Sequence, residues 1–119
     1  MTEEGSSLMI LEVAMLNVRP GQGEAFEVAF RQAAPIIASM TGYLGHEIRR
    51  CLEAEDKYLL LVRWETLEDH TVGFRGSAGY QEWKALLHHF YDPFPTVEHY
   101  RPVKGINAEP GEVSGRPLE

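Results

Sequence analysis

The sequence is poorest in cysteine: Cys51 is the single thiol among 119 residues. One cysteine excludes an intrachain disulfide and any Cys-rich zinc centre, and it fits a reducing compartment. Basic residues are also scarce, eleven Lys and Arg against eighteen Asp and Glu, for a net charge of -7. That balance repels a nucleic-acid backbone unless one face is locally basic, and the only adjacent basic pair is Arg49-Arg50. No apolar run approaches the ~20 residues that span a bilayer. Met1–Ser7 is acidic and polar, unlike the basic start of a secretory leader. These absences predict a cytoplasmic chain with neither nucleic acid nor membrane as a partner.

Several chemical signatures are missing too. His46, His70, His88, His89 and His99 show no H-x-x-x-H or H-E-x-x-H spacing. His88 and His89 are adjacent, so on a helix they point about 100° apart and cannot chelate one metal. No metal centre is expected. Gly21-Gln22-Gly23 lies between a strand-like and a helix-like segment, but Ala25 stands where a phosphate cradle needs its third glycine. There is no G-x-S-x-G elbow. Dinucleotide dehydrogenases, P-loop enzymes and serine hydrolases are excluded.

What remains is an ordinary globular composition, 44% hydrophobic and 24% charged, in a length that builds one core. The working domain is read as residues 8–103, with 1–7 and 104–119 as flexible or surface-laid tails; Lys104–Glu119 holds three Gly and two Pro. Met9–Val18 is an apolar strand closed by Arg19-Pro20-Gly21. Phe26, Phe30, Ala33 and Ile37 then recur at helical spacing over Gly23–Met40, with Pro35 expected to kink the helix or split its last turn. Tyr43–Leu52 and Tyr58–Trp64 read as a hairpin across the acidic turn Glu53-Ala54-Glu55-Asp56. Thr66 and Asp69 stand in capping-box positions for a short helix interrupted near Gly73–Gly76. Ser77 caps a second segment that carries Tyr80, Trp83, Lys84, Leu87 and Phe90 on one face, and Thr96–Val103 supplies a last strand. The order β-α-β-β-α-β is an α+β, ferredoxin-like arrangement with an antiparallel sheet.

The strands carry a further signal. Large apolar residues occupy both alternating faces of Met9–Val18 and Tyr58–Trp64, with Leu59 and Leu61 opposite Tyr58, Leu60, Val62 and Trp64. Two helices cover only one face of a four-stranded sheet, so the second face calls for another sheet, that of a second copy in a homodimer.

Gly42-Tyr43-Leu44-Gly45-His46-Glu47, then Tyr58-Leu59-Leu60-Leu61-Val62-Arg63-Trp64-Glu65, followed by Phe74-Arg75-Gly76-Ser77 and Tyr80-Gln81-Glu82-Trp83, resemble the antibiotic biosynthesis monooxygenase (ABM) family. That family belongs to the dimeric α/β barrel superfamily. The resemblance implies a cofactor-independent monooxygenase that acts with O2 on a small aromatic, phenolic or quinone-like substrate. An acidic phenol or anthrone loses a proton, and the electron-rich anion then passes an electron to O2 in a dry aromatic pocket. On this reading His70 is the first candidate for the proton partner, with His46 as a further one and Trp64 as a flat wall. Phe74, Tyr80, Trp83 and His88 would line the substrate. Two alternatives stand beside it. One is a non-catalytic dimeric module that binds a small molecule or serves a stress response. The other, a haem-binding or haem-degrading protein, is the poorer fit. The strand asparagine of the haem-degrading relatives falls at Ala14, and their helix histidine near Lys84, with His88 one turn further on.

Overall fold

The computed structural model describes residues 9–107. The expected tail 1–7 and residues 108–119 of the other lie outside the described residues, while Lys104–Asn107 are exposed. Eight elements follow in order: β1 (Ile10–Asn17), α1 (Gly23–Ala38), β2 (Tyr43–Arg50), β3 (Lys57–Trp64), a π-helical turn (Asp69–Phe74), α2 (Ala78–Leu87), a 3-10 turn (His88–Phe90) and β4 (Val97–Tyr100). The four strands form one sheet in the order β2-β3-β1-β4, all neighbours antiparallel. This is the ferredoxin-like α+β fold that the alternating periods predict.

The helices form where the apolar spacing puts a stripe on one side. In α1, Phe26, Phe30, Ala33 and Ile37 are buried against the sheet. Pro35 does not split the last turn, and the helix runs through to Ala38. Pro35 is exposed in the last turn, so the backbone bond its missing N–H would have made is lost where water reaches the freed carbonyl. Thr66 and Asp69 make the reciprocal capping box: the Asp69 N–H donates to Thr66 Oγ1 (3.1 Å) and the Thr66 N–H to Asp69 Oδ2 (3.2 Å). A wide π-helical turn follows in place of a short α-helix. Ser77 Oγ accepts from the Tyr80 N–H (3.1 Å) and starts α2.

Both helices lie on one side of the sheet. There the strand residues Ala14, Leu16, Tyr58, Leu60, Val62 and Trp64 are buried with the helix side chains in one core. Leu11, Val13, Leu59 and Leu61 point the other way and remain partly exposed, with Met15 more so. The chain therefore covers one apolar sheet face and leaves the other open. No helix among the described residues is long and apolar enough to cross a membrane.

Candidate active site

The helix-covered face is not filled evenly. Between β1, the π-helical turn, α2 and β4 lies a cavity of about 350 Å³, within the size range of small-molecule sites. Ala14, Leu16 and Leu60 of the sheet form its floor with Glu12. Phe74, Tyr80 and Trp83 form one wall, and His88, Tyr91 and Phe94 the other; His70 and Arg75 also reach it.

Glu12 is the unusual residue. It sits mid-strand in a run of apolar side chains, shares the buried face with Ala14 and Leu16, and is only 5% exposed. Its Oε1 accepts a hydrogen bond from the Trp64 indole N–H (2.9 Å) and lies 3.4 Å from His70 Nε2. Burial pushes the Glu12 carboxyl up to about 6, although the Trp64 hydrogen bond and the Arg75 charge pull the other way. His70 is equally enclosed. Its ring stacks on Trp64 at 5.5 Å between centroids, and its Nδ1 lies 2.8 Å from His99 Nε2. Burial first, then the Arg75 charge and His99, lowers His70 to about 3. The ring is thus neutral at physiological pH, and Glu12–His70 is a carboxylate beside a neutral imidazole, not an ion pair.

The local sequence explains how His70 arrives there. Gly42 has φ +84°, and a side chain at that position would collide with the Asp69 carboxylate. The close approach of Gly42 to Asp69 lets the capped turn sit down on the end of β3. His70, one residue on, then falls onto Trp64.

Of the residues proposed from sequence, His70, Phe74, Tyr80, Trp83 and His88 line this one cavity. Two others do not. Trp64, expected as a wall, is fully buried behind His70 and Glu12 and reaches the cavity only through the hydrogen bond it donates. Its register between Ile10 and Tyr43 places it under the turn, where its whole surface is covered. His46, expected to share the site, lies in a different cavity. A bulge between Tyr43 and Gly45 shifts the register, so Leu44 is exposed while His46 turns toward Phe30. The Tyr43 hydroxyl and His46 Nδ1 share a hydrogen bond (2.6 Å), and burial lowers the His46 pKa.

That second cavity, about 410 Å³, lies between α1 and β2 and is lined by Phe26, Phe30, Ala34, Ile48 and charged residues at its rim. Its acids are satisfied. Glu27 Oε2 accepts from Arg50 Nη2 and from the Tyr58 hydroxyl, both at 2.6 Å, and Glu47 pairs with Arg49 and Arg63. These partners hold both carboxyls below the ordinary range.

Sequence reasoning passed over Glu12, His99 and Tyr91. Glu12 carried a readable signal, since its parity with Ile10, Ala14 and Leu16 puts a charge on the buried face. Nothing local marks His99, whose role depends on β4 lying beside β1. No three His, Cys, Asp or Glu side chains among the described residues converge as metal ligands.

This arrangement can do acid–base chemistry on a small apolar molecule. Burial raises Glu12 to about 6, toward the range that suits a general base, and aromatic side chains line the cavity beside it.

Comparison with known proteins identifies the family and the fold. The family model for antibiotic biosynthesis monooxygenase matches residues 9–86. The uncharacterized protein YczJ of Bacillus subtilis (strain 168) is 64% identical over 95 residues, which are 80% of this chain and all of that one. A crystal structure from Bordetella bronchiseptica, assigned to the antibiotic biosynthesis monooxygenases, superposes with a TM-score of 0.77 at 39% identity, covering 80% of this chain and 97% of that one. SnoaB from Streptomyces nogalater, a cofactor-independent oxygenase, shares the fold with a TM-score of 0.62 at 19% identity over 80% of this chain and 91% of that one. With the family match and the Bordetella structure together, the chain belongs to the antibiotic biosynthesis monooxygenase family.

Proposed function

We propose that the protein is a cofactor-independent monooxygenase that oxidises a small phenolic, anthrone-like or quinol-like aromatic with O2. The observation that carries this reading is the buried Glu12–His70 pair on the floor of an aromatic cavity. A substrate with an activated ring CH2 gives a proton to Glu12, and the carbanion passes one electron to O2. Recombination of the radical pair gives a peroxide, which takes the proton back. Loss of water across the CH–OOH group then leaves a carbonyl. One oxygen atom enters the product and the other leaves as water. The four electrons come from the oxidised carbon, so the balance closes without a reductant. Phe74, Tyr80 and Trp83 hold the ring, and His88 and Arg75 offer polar contacts for its substituents.

The working unit in this proposal is a homodimer. Leu11, Val13, Leu59 and Leu61 on the open sheet face are the surface a second sheet would bury. Its mass would be about 27 kDa, twice the 13.5 kDa of one chain. Leu61→Lys should return the particle to the single-chain mass in light scattering.

The decisive test is O2 uptake with a panel of anthrones and hydroquinones. Turnover that falls on His70→Ala supports the proposal. Tight binding of such compounds with no O2 consumed would refute it and leave a small-molecule-binding module.

A further inference from the structure

Glu12, His70 and His99 form a continuous line from the cavity to the edge of the sheet. Glu12 and His99 are cross-strand neighbours on β1 and β4, and the His70 ring touches both. Glu12 and His70 line the cavity, whereas His99 does not. His99 is half-buried on β4, the strand at the sheet edge. One end of the line is enclosed and the other meets solvent.

We propose that His99 is a positioning residue through which the buried Glu12 exchanges its proton with solvent. The inference rests on the reading of Glu12 as the base, and it adds the route by which a proton left on Glu12 after turnover reaches solvent.

The His70–His99 hydrogen bond and the 3.4 Å contact between His70 and Glu12 admit two arrangements that differ by one proton. With Glu12 ionised, His99 Nε2–H donates to His70 Nδ1, and His70 Nε2–H faces Glu12 Oε1. With Glu12 protonated the direction inverts. The Glu12 O–H donates to His70 Nε2, His70 Nδ1–H donates to His99 Nε2, and His99 keeps its proton on Nδ1. Each hop breaks one N–H or O–H bond and makes another, and the odd proton enters or leaves at His99 Nδ1. Neither end state holds a buried imidazolium, which this site disfavours. The groups facing the line agree with that. Arg75 opposes positive charge on both rings, and Trp64 donates to Glu12 in either arrangement. Glu98 and Tyr100, the flanking residues of β4, point to the other face and hydrogen-bond to each other (2.7 Å).

Such a route matters because substrate and product need not carry the same charge. A phenol that binds neutral and leaves as a phenolate strands one proton on Glu12, and aromatic walls cannot carry it away.

The test is nitrogen NMR of the full chain with labelled histidine between about pH 5 and pH 8. His70 should change tautomer while staying neutral: its two ring nitrogens exchange protonated and unprotonated shifts around pH 6, where Glu12 titrates. A single His70 tautomer across the range in the native chain overturns the proposal. His99→Gln keeps a hydrogen-bonding side chain but passes no proton, so the inversion should vanish; its persistence overturns the role of His99. In turnover with a phenol-bearing anthrone that binds neutral and leaves as its phenolate, His99→Gln should run about tenfold slower in dilute buffer, recover with added imidazole and keep its KM. A variant rate that ignores imidazole also counts against the route. If the inversion is seen and no substrate is oxidised, the oxygenase reading fails while the proton route stands.

Discussion

Two cavities of similar size, about 350 and 410 Å³, lie under the helices, and each has aromatic walls and histidine in its lining, His70 and His88 in one and His46 in the other. They differ in how their acids are held. Around the α1–β2 cavity Glu27 and Glu47 are paired with arginines and sit low on the pH scale. In the β1–β4 cavity Glu12 has one indole N–H and a neutral imidazole, and it sits high. Volume alone does not mark a site. A buried acid kept without a cationic contact is destabilising, and that burden makes sense where the group handles a proton.

The comparison can be broken most sharply at Glu12. Glu12→Gln should lower turnover by about 10²–10⁴-fold, the usual worth of a positioned base. The same change should stabilise the fold. The folded carboxyl titrates near 6 against an ordinary 4.5, so the fold binds this proton more tightly than the unfolded chain. Its contribution is therefore most favourable below 4.5, declines as pH rises to about 6 and stays level above. Removing the charge should gain up to about 2 kcal/mol near neutrality in denaturant titrations. Loss of stability together with loss of activity would mean that Glu12 is a structural group.

Trp64→Phe comes next. It removes the one N–H that holds the Glu12 carboxylate, for about 1.5–3 kcal/mol as measured by unfolding. Loss of that donor raises the Glu12 pKa, so the rising limb of the pH–rate profile should move above about 6. An unchanged limb would show that the rate does not depend on Glu12.

Glu27→Gln is the matched change in the other cavity, and its effect should be the smallest. Its hydrogen bonds are partly exposed, so the expected loss is about 1 kcal/mol or less, with turnover unchanged. The sign with pH is the reverse of that for Glu12. The Glu27 contribution is present above the ordinary 4.5 and fades as acid protonates the carboxylate. A fall in oxygenation by this variant would erase the distinction between the two cavities.

The strands, both helices and the open sheet face are legible in the sequence because each rests on a period of two or 3.6 residues. The cavity aromatics followed from α2, whose spacing alone gathers Tyr80 and Trp83 on one side. His46 faces the helices with Ile48, but β2 is the edge strand farthest from β4, so it opens onto the α1 cavity, and that strand order is not written in the local sequence. Trp64 was read as a wall because an aromatic at a strand end looks the same whether a turn covers it or not. Only the docking of Asp69 onto Gly42 decides that.

The turn that carries His70 is wider than an α-helix by one residue: the Arg75 N–H donates to His70 O five positions back (3.1 Å). In terms of insertions and deletions, the site depends on a single codon. Val72 is 67% exposed, and as a point substitution it is an undemanding position. Deleting it would narrow the turn to the α-helical period and rotate what precedes it by about 100° relative to the Ser77-capped helix. His70 would then leave Trp64 and Glu12 without any side chain of the cavity having been replaced. A gene can thus lose the Glu12–His70 contact through a change that no comparison of residue types at the site would reveal.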